Sequence, residues 1–264
     1  MNDSTRAPAL AEVQDLRFPT DGRLDQDEEW CLVRFDNGER RRIRFHDYNE
    51  IYSIPGLYET LFYEKLRCKS PSTVAALLEV EAAHAGPPMK DLVTLDVGAG
   101  NGMVAEELRG RGVETLVGVD IIPEAAEAAH RDRPNLYEAY HVIDLIDPPA
   151  EIDRSLSRRG FNCLVTVAAL GFGDIPPAAF ARAYNYVADR GLIAFNIRDK
   201  FLSGEDDSGF SRLIRRSIES KILDIAQQNR YCHRYSTRGE RLHYIAMVGR
   251  KRADIPKEWF DDMQ

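Results

Sequence analysis

From residue 92 onward the chain alternates short β-rich runs with helix-length segments, and nothing else in the sequence constrains its fold as strongly. The runs LVTLDVG (92–98), TLVGVD (115–120), AYHVIDL (139–145), NCLVTVAA (162–169) and GLIAFNIR (191–198) are followed by segments with helical spacing at 102–110, 123–131, 151–158, 177–188 and 209–228. Strands that alternate with helices form parallel pairs with crossover connections, so a doubly wound α/β sheet is expected. Two further β-like runs, YCHRYS and RLHYIAMVG, flank a Thr-Arg-Gly-Glu turn near the end. They predict an antiparallel hairpin that closes the sheet.

The region before residue 92 follows another pattern. Residues 1–29 hold eight acidic side chains against three arginines and are interrupted by Pro8, Pro19 and Gly22. Such a stretch buries little apolar surface and is expected to be a flexible arm. WCLVRFDNGERRRIRF then places Asn37-Gly38 between two β-rich runs. Asn-Gly supplies the positive φ that a two-residue hairpin turn needs, so a hairpin is expected over about 30–45. Its arginines 40, 41, 42 and 44 read as a solvated strand face, with the acidic arm as a plausible partner. Helical spacing runs from Tyr48 to His84, with Ser70-Pro71 starting a new helix and Gly86-Pro87-Pro88 ending it. The expected organisation is an acidic arm (1–29), a hairpin and helical cap (30–88), a nucleotide-type α/β domain (89–252) and a C-terminal tail (253–264).

The chemistry concentrates in DVGAGNG, residues 96–102, at the carboxyl end of the first strand of the α/β domain. Glycines at 98, 100 and 102 allow a tight turn and close backbone approach to a ligand, and the following helix presents free N–H groups. A dinucleotide fingerprint would carry a glycine where Met103 stands, and its pyrophosphate would not welcome Asp96 two residues before the first glycine. An acid there suits a cationic ligand. Asp120, at the end of the second strand, is placed to accept ribose hydroxyls. Asp144, with Leu145, ends the third strand and offers an acceptor for an exocyclic amine. Each acid has a plainer reading as well: Asp120 as a cap for the helix at Pro123, Asp144 as a turn residue before Pro148-Pro149.

Taken as a set, TLDVGAGNGMVAEEL, GVDII, VIDLID and FNCLVTVAAL resemble the class I S-adenosylmethionine-dependent methyltransferases. The resemblance covers about residues 90–250, including the reversed terminal hairpin. It implies a Rossmann-like seven-stranded sheet of order 3-2-1-4-5-7-6 with the last strand antiparallel, preceded here by the hairpin and helical cap. It implies S-adenosyl-L-methionine as cofactor. Gly98, Ala99, Gly100 and Asn101 of the glycine loop would line its methionine part, with Asp96 near the ammonium. Asp120 would hold the ribose, Ile121 would flank the adenine, Asp144 and Leu145 would meet its edge, and Val167 and Ala168 would border the methyl-transfer centre. No catalytic base is implied by the resemblance.

The acceptor is less legible. The Asn/Asp-Pro-Pro-aromatic motif of many amine methyltransferases is missing after the fourth strand, where the chain reads AALGFGDIPP, and Asp147-Pro148-Pro149 follows the third strand instead. Substrate-side candidates are Tyr52 and Tyr58 in the cap, Asp174 and Arg198 at strand ends, and His233 on the terminal hairpin. His46 also belongs to the segment that precedes the domain, and the stripe Tyr58, Leu61, Phe62 has the spacing of core packing.

Composition narrows the partners. A formal charge of −8 over 264 residues argues against a surface built for nucleic-acid backbone, and most of that charge sits in the acidic arm. Four scattered cysteines without a CxxC pair predict reduced thiols and no metal site. With no apolar run of spanning length and no leader-like start, the expectation is a cytoplasmic protein that does not enter the membrane. The leading expectation is therefore methyl transfer to a small-molecule acceptor. Methyl transfer to RNA or protein, noncatalytic cofactor binding and a nicotinamide dehydrogenase stand as rivals, and oligomeric state is not legible.

Overall fold

The computed structural model describes residues 13–20, 24–170, 174–199 and 209–261. Its N-terminal part is a three-stranded antiparallel sheet of β1 (Val13–Arg17), β2 (Trp30–Phe35) and β3 (Arg40–Arg44). The β2–β3 hairpin turns at Asn37-Gly38, with Gly38 at φ 85°. β1 corrects the expectation of a flexible arm over 1–29. Val13 and Leu16 join an apolar cluster with Val33, Phe35 and Ile43, and the strand pairs along β2 from Val13 opposite Phe35 to Arg17 opposite Leu32. Acidic composition hid this strand because its alternating pattern is only five residues long. Residues 1–12 and 21–23 of the expected arm lie outside the described residues.

Among the described residues, arginines 41 and 42 of the hairpin meet partners outside the acids of the arm. Arg41 pairs with Glu39 and Glu50, and Arg42 lies over the Trp30 ring at 4.3 Å. The arm's Glu29 goes elsewhere: it is 1% exposed and meets the equally buried Arg234 at 2.6 Å, while its other oxygen accepts the Thr237 N–H at 2.6 Å.

Three helical pieces form the cap. α1 (Tyr48–Ser53) ends before Pro55-Gly56, and a stretch of π-helix spans Glu59–Lys65, its close marked by the Leu66 N–H bonding the Leu61 carbonyl five residues back. α2 (Ser70–Ala85) carries Pro71 in its first turn, where a missing N–H costs nothing.

The main sheet comprises β4 (Val93–Val97), β5 (Thr115–Asp120), β6 (Ala139–Val142), β7 (Cys163–Thr166), β8 (Leu192–Arg198), β9 (Leu223–Tyr235) and β10 (Arg241–Lys251). Their spatial order is β6-β5-β4-β7-β8-β10-β9, with β10 antiparallel to both neighbours, which is the 3-2-1-4-5-7-6 order expected. Helices α3 (Met103–Gly110), α4 (Pro123–Asp132), α5 (Ala150–Arg158), α6 (Pro177–Tyr186) and α7 (Gly209–Glu219) follow the parallel strands. One face of the sheet packs on Leu156, Phe180 and Phe210 of α5, α6 and α7, the other on Val74 and Leu78 of α2 with Val104 and Leu108 of α3. Central strands are buried on both faces, so they read as continuous apolar runs.

The helix expected over 209–228 stops at Glu219. Lys221 adopts φ 56°, and the chain turns into β9 with Leu223 opposite Lys251. Pairing along an eleven-residue partner overrides the helix propensity of Ala226-Gln227-Gln228. The C-terminal stretch is docked: Ile255 is buried, and the short helix α8 (Glu258–Asp261) sets the Trp259 ring under Arg216 at 3.9 Å. No helix among the described residues is long and apolar enough to cross a membrane.

Removing one partner of a buried ion pair leaves the other charge uncompensated, typically at a cost of about 3–5 kcal/mol. Glu29→Ala should therefore lower the free energy of unfolding by about 3 kcal/mol in a urea titration, whereas Glu39→Ala, on an exposed pair, should leave the urea midpoint nearly unchanged.

Candidate functional site

At the carboxyl ends of β4, β5 and β7 the sheet opens into a cavity of about 300 Å³. This is where open parallel sheets bind ligands, since the strand order reverses between β4 and β7. Its floor holds Val97, Gly98 and Val119; Asp120, Ile121 and Asp144 form one side. Ala168 and Asp174 form the other, and His46, Tyr48, Tyr52 and Tyr58 reach in from the cap.

Asp120 organises the first side. One carboxylate oxygen accepts the Gly100 N–H at 2.9 Å and the other accepts the Ile122 N–H at 3.0 Å. Burial pushes its pKa up, against the backbone N–H groups that favour the charged form. The reading of Asp120 as a helix cap does not hold, since α4 starts at Pro123 without a side-chain cap bond; the carboxylate braces its own turn and lines the cavity. Asp144 likewise accepts the Ile146 N–H at 2.7 Å and lies exposed at the rim. Ile121 is 60% exposed, an unusual state for a large apolar side chain, and Leu145 behind it is buried.

Asp96 sits beneath the glycine loop, fully buried. The Tyr137 hydroxyl donates to its Oδ2 at 2.8 Å, while Oδ1 has no partner among the described residues. Desolvation raises its pKa to about 7, the Tyr137 bond holds it down in part, and the neighbouring Asp120 adds to the rise. The loop itself is pressed between tyrosines. Gly100, at φ 54°, lies under the Tyr52 hydroxyl, which occupies the space a Cβ would need, and its carbonyl accepts from Tyr140 at 2.7 Å. Ala99 is buried against Gly118. Asn101 turns away from the cavity: its amide donates to Glu59 at 2.7 Å, and Glu59 is also bound by Arg133 at 2.8 Å. The sequence reading put Asn101 on the ligand; here it ties the π-helix to the loop.

Stacked rings cover the cavity. Tyr48 and Tyr52 lie 6.1 Å apart, and Tyr52 and Tyr58 lie 5.0 Å apart, all near parallel. α1 reaches this position by docking on α4, where Tyr52 packs on Ala125 and Ala128 and its carbonyl accepts from Arg131. Opposite the tyrosines, His46 Nδ1 meets Asp174 Oδ1 at 3.2 Å. Ala168, at the end of β7, adopts the left-handed φ of 58°, rare for a residue with a Cβ. Its N–H donates to the Asn196 side chain at 2.6 Å, and Asn196 continues to Ser70 and Tyr231 at 3.0 and 2.8 Å. Ser70 then meets His233 Nδ1 at 2.5 Å. His233 is 5% exposed, and burial drives its pKa well below the ordinary histidine value, so the ring is neutral. It lies away from the main cavity and lines a smaller one of about 40 Å³ that shares His46, Tyr48, Tyr58, Ala168 and Asp174 with the first.

Of the other substrate-side candidates, Tyr52, Tyr58 and Asp174 line the main cavity, and Arg198 lines neither. Arg198 sits at the end of β8 opposite Tyr244 of β10. Sequence reasoning passed over Tyr48, although it lies four residues before Tyr52 on one helix face. It also left out Tyr137, Tyr140, Asn196 and Glu59, whose roles depend on contacts 35 to 126 residues apart. No cluster of His, Cys, Asp or Glu among the described residues is placed to hold a metal ion.

Comparison with known proteins gives the site its context. Residues 67–245, more than half of the chain, match the family described as a methyltransferase domain. A human relative, methyltransferase-like protein 27, is 33% identical over 135 residues, 47% of this chain and 52% of the relative, so the match spans about half of that relative's length. Among solved structures, the N-methyltransferase NodS from Bradyrhizobium japonicum WM9 in complex with S-adenosyl-L-homocysteine superposes with a TM-score of 0.51 at 13% identity, over 79% of this chain and 98% of that one. That likeness extends to the fold, and the family match covers the glycine loop, all three strand-end acids and both cavities' walls on β7 and β10: the chain belongs to the methyltransferase-domain family, in the class I S-adenosylmethionine-dependent group.

Proposed function

We propose that the protein transfers the methyl group of S-adenosylmethionine to a small-molecule acceptor in the cytoplasm, with residues 89–252 holding the cofactor and residues 30–88 covering it. The observation that carries this reading is the cavity at the carboxyl ends of β4, β5 and β7, with Asp120 on one side and three stacked tyrosines over it. Three features fit the cofactor. Asp96 has a buried oxygen without a partner among the described residues, suited to a cation; Asp120 keeps acceptor capacity toward the opening; and Ile121 is an exposed apolar group suited to a flat partner.

When bound, the cofactor supplies an electrophilic methyl carbon on a positively charged sulfur. Asp120 would accept the ribose hydroxyls, and Asp96 would face the ammonium beside Gly98, Ala99 and Gly100. Asp144, Leu145 and Ile121 would border the adenine, and Val167 and Ala168 the reacting centre. Tyr48, Tyr52 and Tyr58 would exclude water, which strengthens every electrostatic interaction beneath them. Val167, Ala168 and the three tyrosines would hold the acceptor against that carbon in a pocket that excludes water. His46, oriented by Asp174, borders both cavities and would take the proton the acceptor gives up. A cavity closed by side chains, with a branch of only about 40 Å³, favours a small acceptor over a polymer.

Two measurements test this. Incubation with methyl-labelled S-adenosylmethionine and a fractionated metabolite extract should label a low-mass fraction, and Asp120→Ala should reduce that labelling by at least tenfold; label appearing only in RNA or protein would reassign the acceptor class. The second concerns pH. A carboxyl that stays neutral in the folded protein up to about pH 7, but ionises near pH 4 when unfolded, binds more protons folded than unfolded between those values. The ligand-free protein should therefore lose stability as pH rises from about 4 to about 7, and Asp96→Asn should flatten that slope. Because an ammonium favours the ionised carboxylate, S-adenosylhomocysteine should bind tighter at pH 8 than at pH 5.5 in the wild type and equally in Asp96→Asn, by isothermal titration.

A further inference from the structure

The smaller cavity is walled by the turn before β2, by β10 and the end of β9, and by the cap. Gln26 lies in that turn, 9% exposed, with its Nε2 donating to the Tyr244 hydroxyl at 2.8 Å. Its Oε1 is buried and has no partner among the described residues. Tyr244 satisfies the amide nitrogen, so the amide oxygen is the atom left over. Leaving a buried acceptor unpaired is costly, so this oxygen calls for a donor.

The positive charge at the wall is already cancelled. Arg234 borders the cavity, yet its guanidinium is consumed by Glu29 and by the Tyr235 carbonyl at 2.9 Å. Asp174, which meets His46 Nδ1, brings a carboxylate to the same wall. Burial keeps His233 neutral and raises the Cys68 thiol and the Tyr244 phenol above their ordinary values, so none of them contributes a charge near pH 7. The remaining walls are the rings of Phe45, Phe62, Tyr48 and Tyr58. A space of about 40 Å³ has room for roughly three waters. It opens beside Ala168, which borders the main cavity too.

We propose that this branch is the pocket for the head of the methyl acceptor, and that it selects a head of a few non-hydrogen atoms without negative charge, bearing an N–H or O–H donor that Gln26 Oε1 accepts. This rests on the methyltransferase reading above. Gln26 is a recognition residue, and an anionic head is rejected because Arg234 is already paired and the Asp174 carboxylate repels it. The Asn196–Ser70–His233 chain links the pocket wall to the N–H of Ala168, so the same buried contacts that shape the pocket also fix the strand end beside the reacting centre.

Fragments of matched size test the pocket directly. Acetamide and acetate can each be titrated into the full chain by ligand-detected NMR, with and without saturating S-adenosylhomocysteine. Acetamide should bind with a millimolar Kd, and acetate at least tenfold more weakly. Gln26→Leu and the unbranched Gln26→Met, each checked for folding by circular dichroism, should weaken acetamide at least fivefold and leave the S-adenosylhomocysteine Kd within twofold. Equal binding of acetate, no acetamide binding at all, or acetamide binding indifferent to both variants overturns the proposal. Absence of S-adenosylhomocysteine binding in the wild type would instead overturn the methyltransferase reading, and the ligand-free arm separates the two failures.

Discussion

The hydrogen bond from the Gly100 amide to the Asp120 carboxylate is the contact on which the site's shape depends. It joins the loop after one strand to the end of its neighbour, so the glycine loop cannot settle without β5 in register beside β4. Because the second carboxylate oxygen holds the Ile122 amide, one side chain also fixes where α4 begins. α4 in turn gives α1 its docking surface, and α1 carries the tyrosines that cover the loop. Loop, helix and cover are thus coupled through a single acid that the fold would need even without a ligand.

The cap adds a second set of ties. Glu59 gathers Asn101 and Arg133, connecting the π-helix to the first turn after the glycine loop. An extra residue in a helical turn shifts every side chain beyond it, and here the shifted stretch keeps Leu61 and Phe62 in the core while Tyr58 reaches the cavity. Such π-turns are costly in isolation and persist where the surroundings fix them.

Much of the architecture was legible because it is written in period and spacing. Alternating β and α segments gave the sheet, the reversed final pair gave its closing strands, and Asp96, Asp120 and Asp144 fell at successive strand ends. The errors have local physical causes. β1 was lost inside an acidic stretch whose five-residue strand shows little periodicity, and the start of β9 was taken for helix because Ala-Gln-Gln carries no strand signal until Val248 and Met247 stand opposite its glutamines. The Asn101–Glu59 bond joins two separate elements, so no local pattern announced it. Gln26, Arg234 and Tyr244 could not be grouped from the sequence at all, since they are brought together only by the N-terminal sheet meeting the terminal hairpin.

The junction between the π-helix and α2 limits how the protein can exchange what it binds. There the Lys69 N–H bonds the His233 carbonyl and the Tyr235 N–H bonds the Leu66 carbonyl, both at 2.8 Å, so the cap is laced to β9 by main chain rather than resting on it. A cover sewn in this way does not swing as a lid. The rim at Ile121 and Asp144, both exposed, is an opening that needs no movement of the cap.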